Sequence, residues 1–361
     1  MSAGRVLFCG VGFGRGGLAR SFPPIAAALE RRGYEVKVLP PHASDRGGLG
    51  VASGRETAPA FRFGPCGLWI GRVLRLFHLL TGGVFRFLCA RKIPHDAFVV
   101  YGASCCMEWC RYSNRPTWAF LHSEPVIGFQ GPLRAAIVRD LRRSAARARG
   151  VFSVSNAVRD AWRKLGIESE VLRLPRQTPP PAAGARDPRR CVCVGRLSWE
   201  KGVDRLLDAI ARVPGLSLDV VGDGPLRRDL ERRAAALGVA GRVRFLGWQD
   251  DPAPFLSAAG LAVSPSRSEG LSLSVLEALE AGVPVLATDI PGNREALADG
   301  RYGRLVPESV DAFAAALAEY ARNPRSCDPG CGFATVRAEL AAATAESERR
   351  LGEIAFAFPR S

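Results

Sequence analysis

Short apolar runs of strand length alternate with helical stretches twice along this chain, and one Pro-rich break separates the two series. In the first series the runs fall at 5–11, 35–40, 97–101, 118–122, 151–155 and 170–174. Helical patterns lie between them at 25–32, 133–147 and 157–165. The second series has runs at 191–194, 216–221, 243–246, 261–264, 283–287 and 305–306. Strands separated by helices predict parallel βαβ units with right-handed crossovers, so the expected class is α/β. The break, PRQTPPPAAGARDPRR, lacks an apolar period and reads as a linker. The expected organisation is therefore a first domain over 1–176, a linker over 177–189, a second domain over 190–330 and a closing amphipathic helix within 331–361. Two such domains enclose a cleft between the carboxyl ends of their sheets, where open α/β folds bind ligands.

At 361 residues the chain exceeds what one core of roughly 250–300 residues holds, in keeping with two domains. Ten cysteines form no CxxC pair, and histidine occurs only four times. A reduced, cytoplasmic protein with no metal and no cofactor is the expectation. The opening MSAGRVLFCGVGFG lacks the regions of a signal peptide, and no apolar run is long enough to span a bilayer.

The net charge of +15 is unevenly placed. Residues 1–180 hold 27 Lys and Arg against 11 Asp and Glu, a net of +16, and the remainder is close to neutral. A basic first half points to an anionic partner.

Chemistry-bearing residues cluster at predicted strand-to-helix turns. CVCVGRLSWEKGVDRLL delivers Gly195 and Arg196 from a strand and Lys201 to a helix start, two cations suited to a diphosphate. Two solvated basic residues are the plainer alternative. VVGDGPLRRDL places Gly222 at the next turn, and FLGWQDD puts Leu246 before another, where Trp248 either stacks on a base or caps the core, the core reading being preferred. In SRSEGLSLSVLEALEAG, Glu269 precedes a glycine loop and Glu277 sits in the following helix, so two carboxylates can grip one hydroxylated ligand. The alternative is a capping box from Ser274 to Glu277. Gly12-x-Gly14-x-x-Gly17 matches the dinucleotide fingerprint, but the second strand ends Val38-Leu39-Pro40-Pro41 with no acidic ribose ligand, which argues against hydride transfer. Pro23 and Pro24 predict that the first regular helix starts late.

GRLSWEKG, VGDGPLRRDLE, FLGWQDD, SPSRSEGLSLSVLEALEAGVPVLATD and PGNREAL together resemble the retaining glycosyltransferases of group 1, family four, including their E-x7-E element. GRGG, LHSEP and SVSNAVRDAWRKLGI resemble the acceptor domain of that family more loosely. The resemblance implies two Rossmann-like βαβ domains facing across a cleft, the glycosyltransferase B-type architecture, with a nucleotide-diphosphate sugar held by the second domain. It implies that Arg196 and Lys201 offset the charge of the departing diphosphate. Glu269 would hold donor-sugar hydroxyls with the backbone at Gly270, Leu271 and Ser272. Glu277 would bind the ribose, while Gly222 and Leu246 lie near the base. Gly16 and Gly17 would line the donor–acceptor junction, and His122 would stand near the transferred sugar, a core histidine being its alternative. Front-face attack leaves no covalent residue to name, and no metal is implied. This chain departs from the family pattern at LPRQTPP, where an Asn-Gly turn is usual, and at Gly260, where an acid is common.

Residues 61–92, FRFGPCGLWIGRVLRLFHLLTGGVFRFLCARK, interleave Arg with large apolar side chains, and on a helix Arg72, Arg75 and Arg86 share one sector. With the +16 half-chain this favours docking on an anionic membrane at its cytoplasmic face, where a glycan or lipid-linked acceptor would be met. A core helix with one wet stripe is the alternative. Nucleic acid is a weaker partner, because the basic residues match no reader module. The rival functions are a nucleotide-sugar epimerase or phosphorylase-like enzyme of the same fold and a catalytically silent nucleotide-sugar-binding subunit.

Overall fold

The computed structural model describes residues 4–10, 17–39, 95–102, 107, 110, 113–125, 130–173 and 186–356. The chain divides into two compact units. One comprises Met1–Arg176 with Thr344–Ser361, and the other comprises Gln177–Ala343. Residues 61–92, the Gly12 and Gly14 positions and the LPRQTPP turn lie outside the described residues.

The first unit is built on a six-stranded parallel sheet. Its strands are β1 (Arg5–Gly10), β2 (Glu35–Leu39), β3 (Ala97–Gly102), β4 (Thr117–Leu121), β5 (Gly150–Ser153) and β6 (Glu170–Val171), in the order β2-β1-β3-β4-β5-β6. AFVVYG and TWAFL are continuous apolar runs because both faces of these strands are covered, and all of β4 is buried. The helices are α1 (Gly17–Glu30), α2 (Gly131–Ala145) and α3 (Asn156–Arg163). At α3, Ser155 caps the helix by accepting the Val158 N–H at 3.1 Å.

The late start expected for the first helix is corrected. α1 begins at Gly17 and carries Pro23 and Pro24 inside it, although each proline forfeits a helical hydrogen bond. Packing outweighs that loss. Phe22, Ile25, Ala26, Ala28 and Leu29 are all buried, and Phe22 meets Phe8 edge-to-face with centroids 5.1 Å apart. Each large side chain so buried is worth roughly 1.5–3 kcal/mol.

The second unit repeats the plan. Its strands are β7 (Asp187–Val194), β8 (Ser217–Val221), β9 (Val243–Gly247), β10 (Ala259–Ser264), β11 (Val285–Thr288) and β12 (Arg304–Val306). They lie in the order β12-β11-β10-β7-β8-β9, all parallel. The helices are α4 (Val203–Ala211), α5 (Arg227–Ala236), α6 (Ala253–Ala258), α7 (Leu273–Glu280), α8 (Pro291–Ala296) and α9 (Val310–Arg322), and α10 (Phe333–Phe356) begins in this unit and ends in the segment that belongs to the first. Alternate residues of β7 feed two apolar clusters. Cys191 and Cys193 join Leu206, Ile210, Leu218 and Leu317, whereas Val192 joins Leu276, Leu279, Val285 and Leu297.

β7 begins at Asp187, so the DPRR end of the Pro-rich stretch is strand rather than linker. Pairing of β7 with β10 is irregular between Ala259 and Leu261. A Cβ at Gly260 would stand 2.5 Å from the Tyr320 hydroxyl and 2.6 Å from Pro188 Cα, which accounts for glycine at that position.

Candidate active site

β8 lies on one side of β7 and β10 on the other, so the chain reverses its direction of build across the sheet at β7. The loops leaving the carboxyl ends of β7 and β10 open a crevice there, the place where doubly wound sheets take ligands. Arg196 and Lys201 follow β7, while Glu269 and Glu277 follow β10. Gly202 adopts φ +64° and a Cβ on it would lie 2.1 Å from the Pro265 carbonyl oxygen, so only glycine lets the two loops touch.

Contact between the loops brings Lys201 and Glu269 together. Lys201 Nζ donates to Glu269 Oε1 at 2.6 Å, and Ser266 Oγ donates to the same oxygen at 2.8 Å. The Glu269 side chain is only 10% exposed, so the pair is largely shielded from water. Its backbone rests on the start of α8, where a Cβ at Gly292 would fall 2.3 Å from Glu269 O. Beneath the pair, burial pushes the Cys193 thiol up to about 12, which leaves it inert as a nucleophile.

A second ion pair binds the loops from outside. Arg267 donates through both terminal nitrogens to Asp204, at 2.9 and 2.6 Å, and to the Trp199 carbonyl at 2.7 Å. Its own N–H reaches Glu200 O at 2.7 Å, and its guanidinium lies 5.0 Å from the Trp199 ring centroid. Burial raises the Asp204 carboxyl, but the Arg267 hydrogen bond offsets this and holds it below its ordinary value. The turn Trp199–Lys201 is thereby fixed to the loop that carries Glu269.

The remaining expected donor residues are distributed around this centre. Arg196 is exposed and forms no ion pair among the described residues. Gly270 and Leu271 connect Glu269 to α7, whose N-cap is Ser272, and Ser272 is buried. Ser274 lies inside α7, so the capping box with Glu277 does not form. Glu277 instead occupies the second turn with its Oε2 shielded from solvent. Two backbone groups near the expected base site are already engaged. Gly222 N–H donates to Gly247 O at 2.8 Å, and Leu246 O accepts from Gln249 Nε2 at 2.9 Å. Trp248 is a correction: it is half-buried, stands outside both apolar clusters and donates to Asp250 at 2.8 Å.

His122 belongs to the first unit and immediately follows β4. Its ring meets Tyr101 edge-on at 4.2 Å, and its buried Nε2 has no hydrogen-bond partner among the described residues. Burial pushes its pKa down to about 3, so the imidazole is neutral near pH 7. Gly17 opens α1, whereas Gly16 lies outside the described residues. Among the described residues no group of three or more His, Cys, Asp and Glu is placed to hold a metal ion. No helix among them is long and apolar enough to cross a membrane.

Ser266, Arg267, Thr288, Gly292 and Asn293 also support the loop that carries Glu269, and in the sequence they stand inside the quoted motifs with nothing to mark them as site residues.

Comparison with known proteins follows the same division. A family profile described as "Glycosyl transferases group 1" matches residues 188–323, and one described as "Glycosyltransferase Family 4" matches residues 15–175. The chain is similar to the lipopolysaccharide core biosynthesis glycosyltransferase LpsE of Rhizobium meliloti (strain 1021), with 42% identity over 34% of this chain and 37% of the relative. It is similar also to a GDP-mannose-dependent alpha-(1-6)-phosphatidylinositol monomannoside mannosyltransferase of Mycolicibacterium smegmatis, with 37% identity over 37% of this chain and 39% of the relative. The chain thus spans well under half the length of these curated relatives. Among solved structures, Anabaena Alr3699/HepE in complex with UDP superposes with a TM-score of 0.71 at 18% identity, over 98% of this chain and 100% of that one. At that identity the likeness establishes the fold.

Proposed function

The chain belongs to the group 1, family 4 glycosyltransferases, and from that premise we propose that it moves a hexose, with retention, from a nucleotide-diphosphate sugar to a glycan or lipid-linked acceptor. The observation that carries this reading is the Lys201–Glu269 pair at the crevice between β7 and β10, with exposed Arg196, which forms no ion pair among the described residues, on the same loop as the lysine.

Breaking the bond between sugar and diphosphate leaves negative charge on the departing phosphate. Arg196 and Lys201 supply the opposing charge, Lys201 from a partly shielded position and Arg196 from an exposed one, and a preorganised cation is worth more where water is excluded. Glu269 accepts hydrogen bonds from hydroxyls of the transferred sugar, and the backbone at Gly270, Leu271 and Ser272 closes round it. Glu277 takes the ribose, with Gly222 and Leu246 beside the base. The acceptor attacks from the face that the diphosphate leaves, so no protein nucleophile is needed. The inert Cys193 thiol fits that chemistry. For the first unit, the family resemblance assigns Gly16 and Gly17 to the acceptor and the neutral His122 to the transferred sugar.

The relatives named above act, by their names, on lipopolysaccharide core and on a phosphatidylinositol mannoside, which supports an acceptor of the same lipid-linked or glycan class. The +16 charge of residues 1–180 supports peripheral docking on an anionic membrane from the cytoplasm through residues 61–92. No metal or other cofactor is part of this reading.

The test is calorimetric binding of UDP-, GDP-, ADP- and TDP-sugars, with NAD(H) as control, to the wild-type chain and to Arg196→Ala and Glu269→Ala. Selective binding of one nucleotide-sugar that weakens in Arg196→Ala supports the proposal. Binding of NAD(H) alone, or of nothing, defeats it.

A further inference from the structure

Behind Glu269 runs a buried chain of polar groups that no apolar-core requirement explains. Asn293 and Thr288 are 0% exposed and Ser266 is 1% exposed. Asn293 Nδ2 donates to Thr288 O at 3.0 Å and to Thr288 Oγ1 at 3.1 Å. Thr288 Oγ1 lies 2.5 Å from Ser266 O and 3.3 Å from Ser264 O. Ser266 Oγ lies 2.8 Å from Glu269 Oε1.

The direction of every bond in the chain is determined. A carbonyl cannot donate, so the Asn293 amide must turn its NH2 toward Thr288 O. Thr288 Oγ1 then accepts from Asn293, and its one proton goes to a main-chain carbonyl, the nearer being that of Ser266. A carboxylate accepts only, so the Ser266 hydroxyl donates to Glu269. With Lys201 on the same atom, Oε1 is held by two donors, while Oε2 has no hydrogen-bond partner among the described residues.

We propose that Asn293, Thr288 and Ser266 form a positioning relay that pins Glu269 Oε1 and presents Oε2 alone to a hydroxyl of the donor sugar. The inference rests on the reading of Glu269 as the sugar-gripping carboxylate. A single presented oxygen selects for one hydroxyl in one orientation, because the carboxylate cannot rotate to follow a displaced or epimeric group without breaking two part-buried hydrogen bonds. The relay therefore acts on sugar recognition and leaves the diphosphate to Arg196 and Lys201.

The experiment compares Thr288→Val, which keeps shape and removes the hydroxyl, with Thr288→Ser, which keeps the hydroxyl. Calorimetry reads the affinity of each for the nucleotide-sugar selected by the panel above and for the matching nucleoside diphosphate. The expected result is about a tenfold loss for the nucleotide-sugar in Thr288→Val, diphosphate affinity within about twofold of wild type, and recovery in Thr288→Ser. Equal loss for both ligands, wild-type behaviour of Thr288→Val, or failure of Thr288→Ser to recover would overturn the relay. Should Thr288→Val not fold, Ser266→Ala carries the same comparison and the same expected split. Absence of any nucleotide-sugar binding in the wild-type chain would instead defeat the proposed function, so the two failures are distinct.

Discussion

Lys201 and Glu269, 68 residues apart in sequence, meet at 2.6 Å where the loops after β7 and β10 touch. The Glu269 side chain is 10% exposed and that of Lys201 25%. Their assigned duties nonetheless differ, and the difference is measurable. Lys201→Ala is expected to weaken nucleoside-diphosphate binding about tenfold or more, whereas Glu269→Gln should leave that affinity within about twofold and abolish sugar transfer. Titration calorimetry and a turnover assay separate the two. Equal loss of diphosphate affinity in both variants would contradict the division.

Gly292 has no room for a side chain. Its Cβ would stand 2.3 Å from Glu269 O and 2.9 Å from Glu269 Cβ, so Gly292→Ala must displace the carboxylate's backbone. Thermal or urea unfolding is expected to show a loss of about 1–3 kcal/mol, together with loss of nucleotide-sugar affinity. Gly330→Ala is the control, since nothing lies within 4 Å of its added carbon, and it should change neither.

His122 makes stability depend on pH. Its pKa falls from an ordinary 6.5 to about 3 because burial disfavours the imidazolium. Between those values the unfolded chain binds a proton that the folded chain refuses, so the contribution is complete above pH 6.5 and is lost as the pH falls toward 3. Urea unfolding at pH 7 and pH 5 should show the wild type losing up to about 2 kcal/mol more than His122→Asn across that interval. Parallel curves for the two proteins would mean that His122 is solvated.

Ser155 tests the first unit separately. Its hydroxyl caps α3 at the Val158 N–H, and Ser155→Ala should cost about 1 kcal/mol in unfolding free energy. Nucleotide-sugar affinity should stay at the wild-type value, because every residue assigned to that ligand's phosphate and ribose belongs to the second unit.

The α/β class and the second-unit strands were legible because continuous apolar runs as short as Leu261, Ala262 and Val263 between turn residues have few uses other than a strand covered on both faces. The charged members of the site were legible too, since Arg196, Lys201, Glu269 and Glu277 sit at turns where a strand hands over to a helix. The supports were not. Ser266, Thr288 and Asn293 are ordinary polar residues whose role exists only once β10, β11 and α8 are side by side, and no local pattern encodes that juxtaposition. Pro23 and Pro24 misled for the converse reason. Their local cost was visible, whereas the packing of Phe22 against Phe8 and Tyr101 that overrides it was not. Trp248 misled similarly, because an aromatic after a strand end suggests burial while its indole N–H found Asp250 near the surface.

The contact of Gly202 with Pro265 has a consequence for how such a site can diversify. Two loops jammed backbone to backbone cannot change length independently, since an inserted residue in either would carry the cation and the carboxylate apart together. New sugar preferences must then arise by exchange of side chains on a frozen frame, and insertions belong at the rim, where no second loop leans on them.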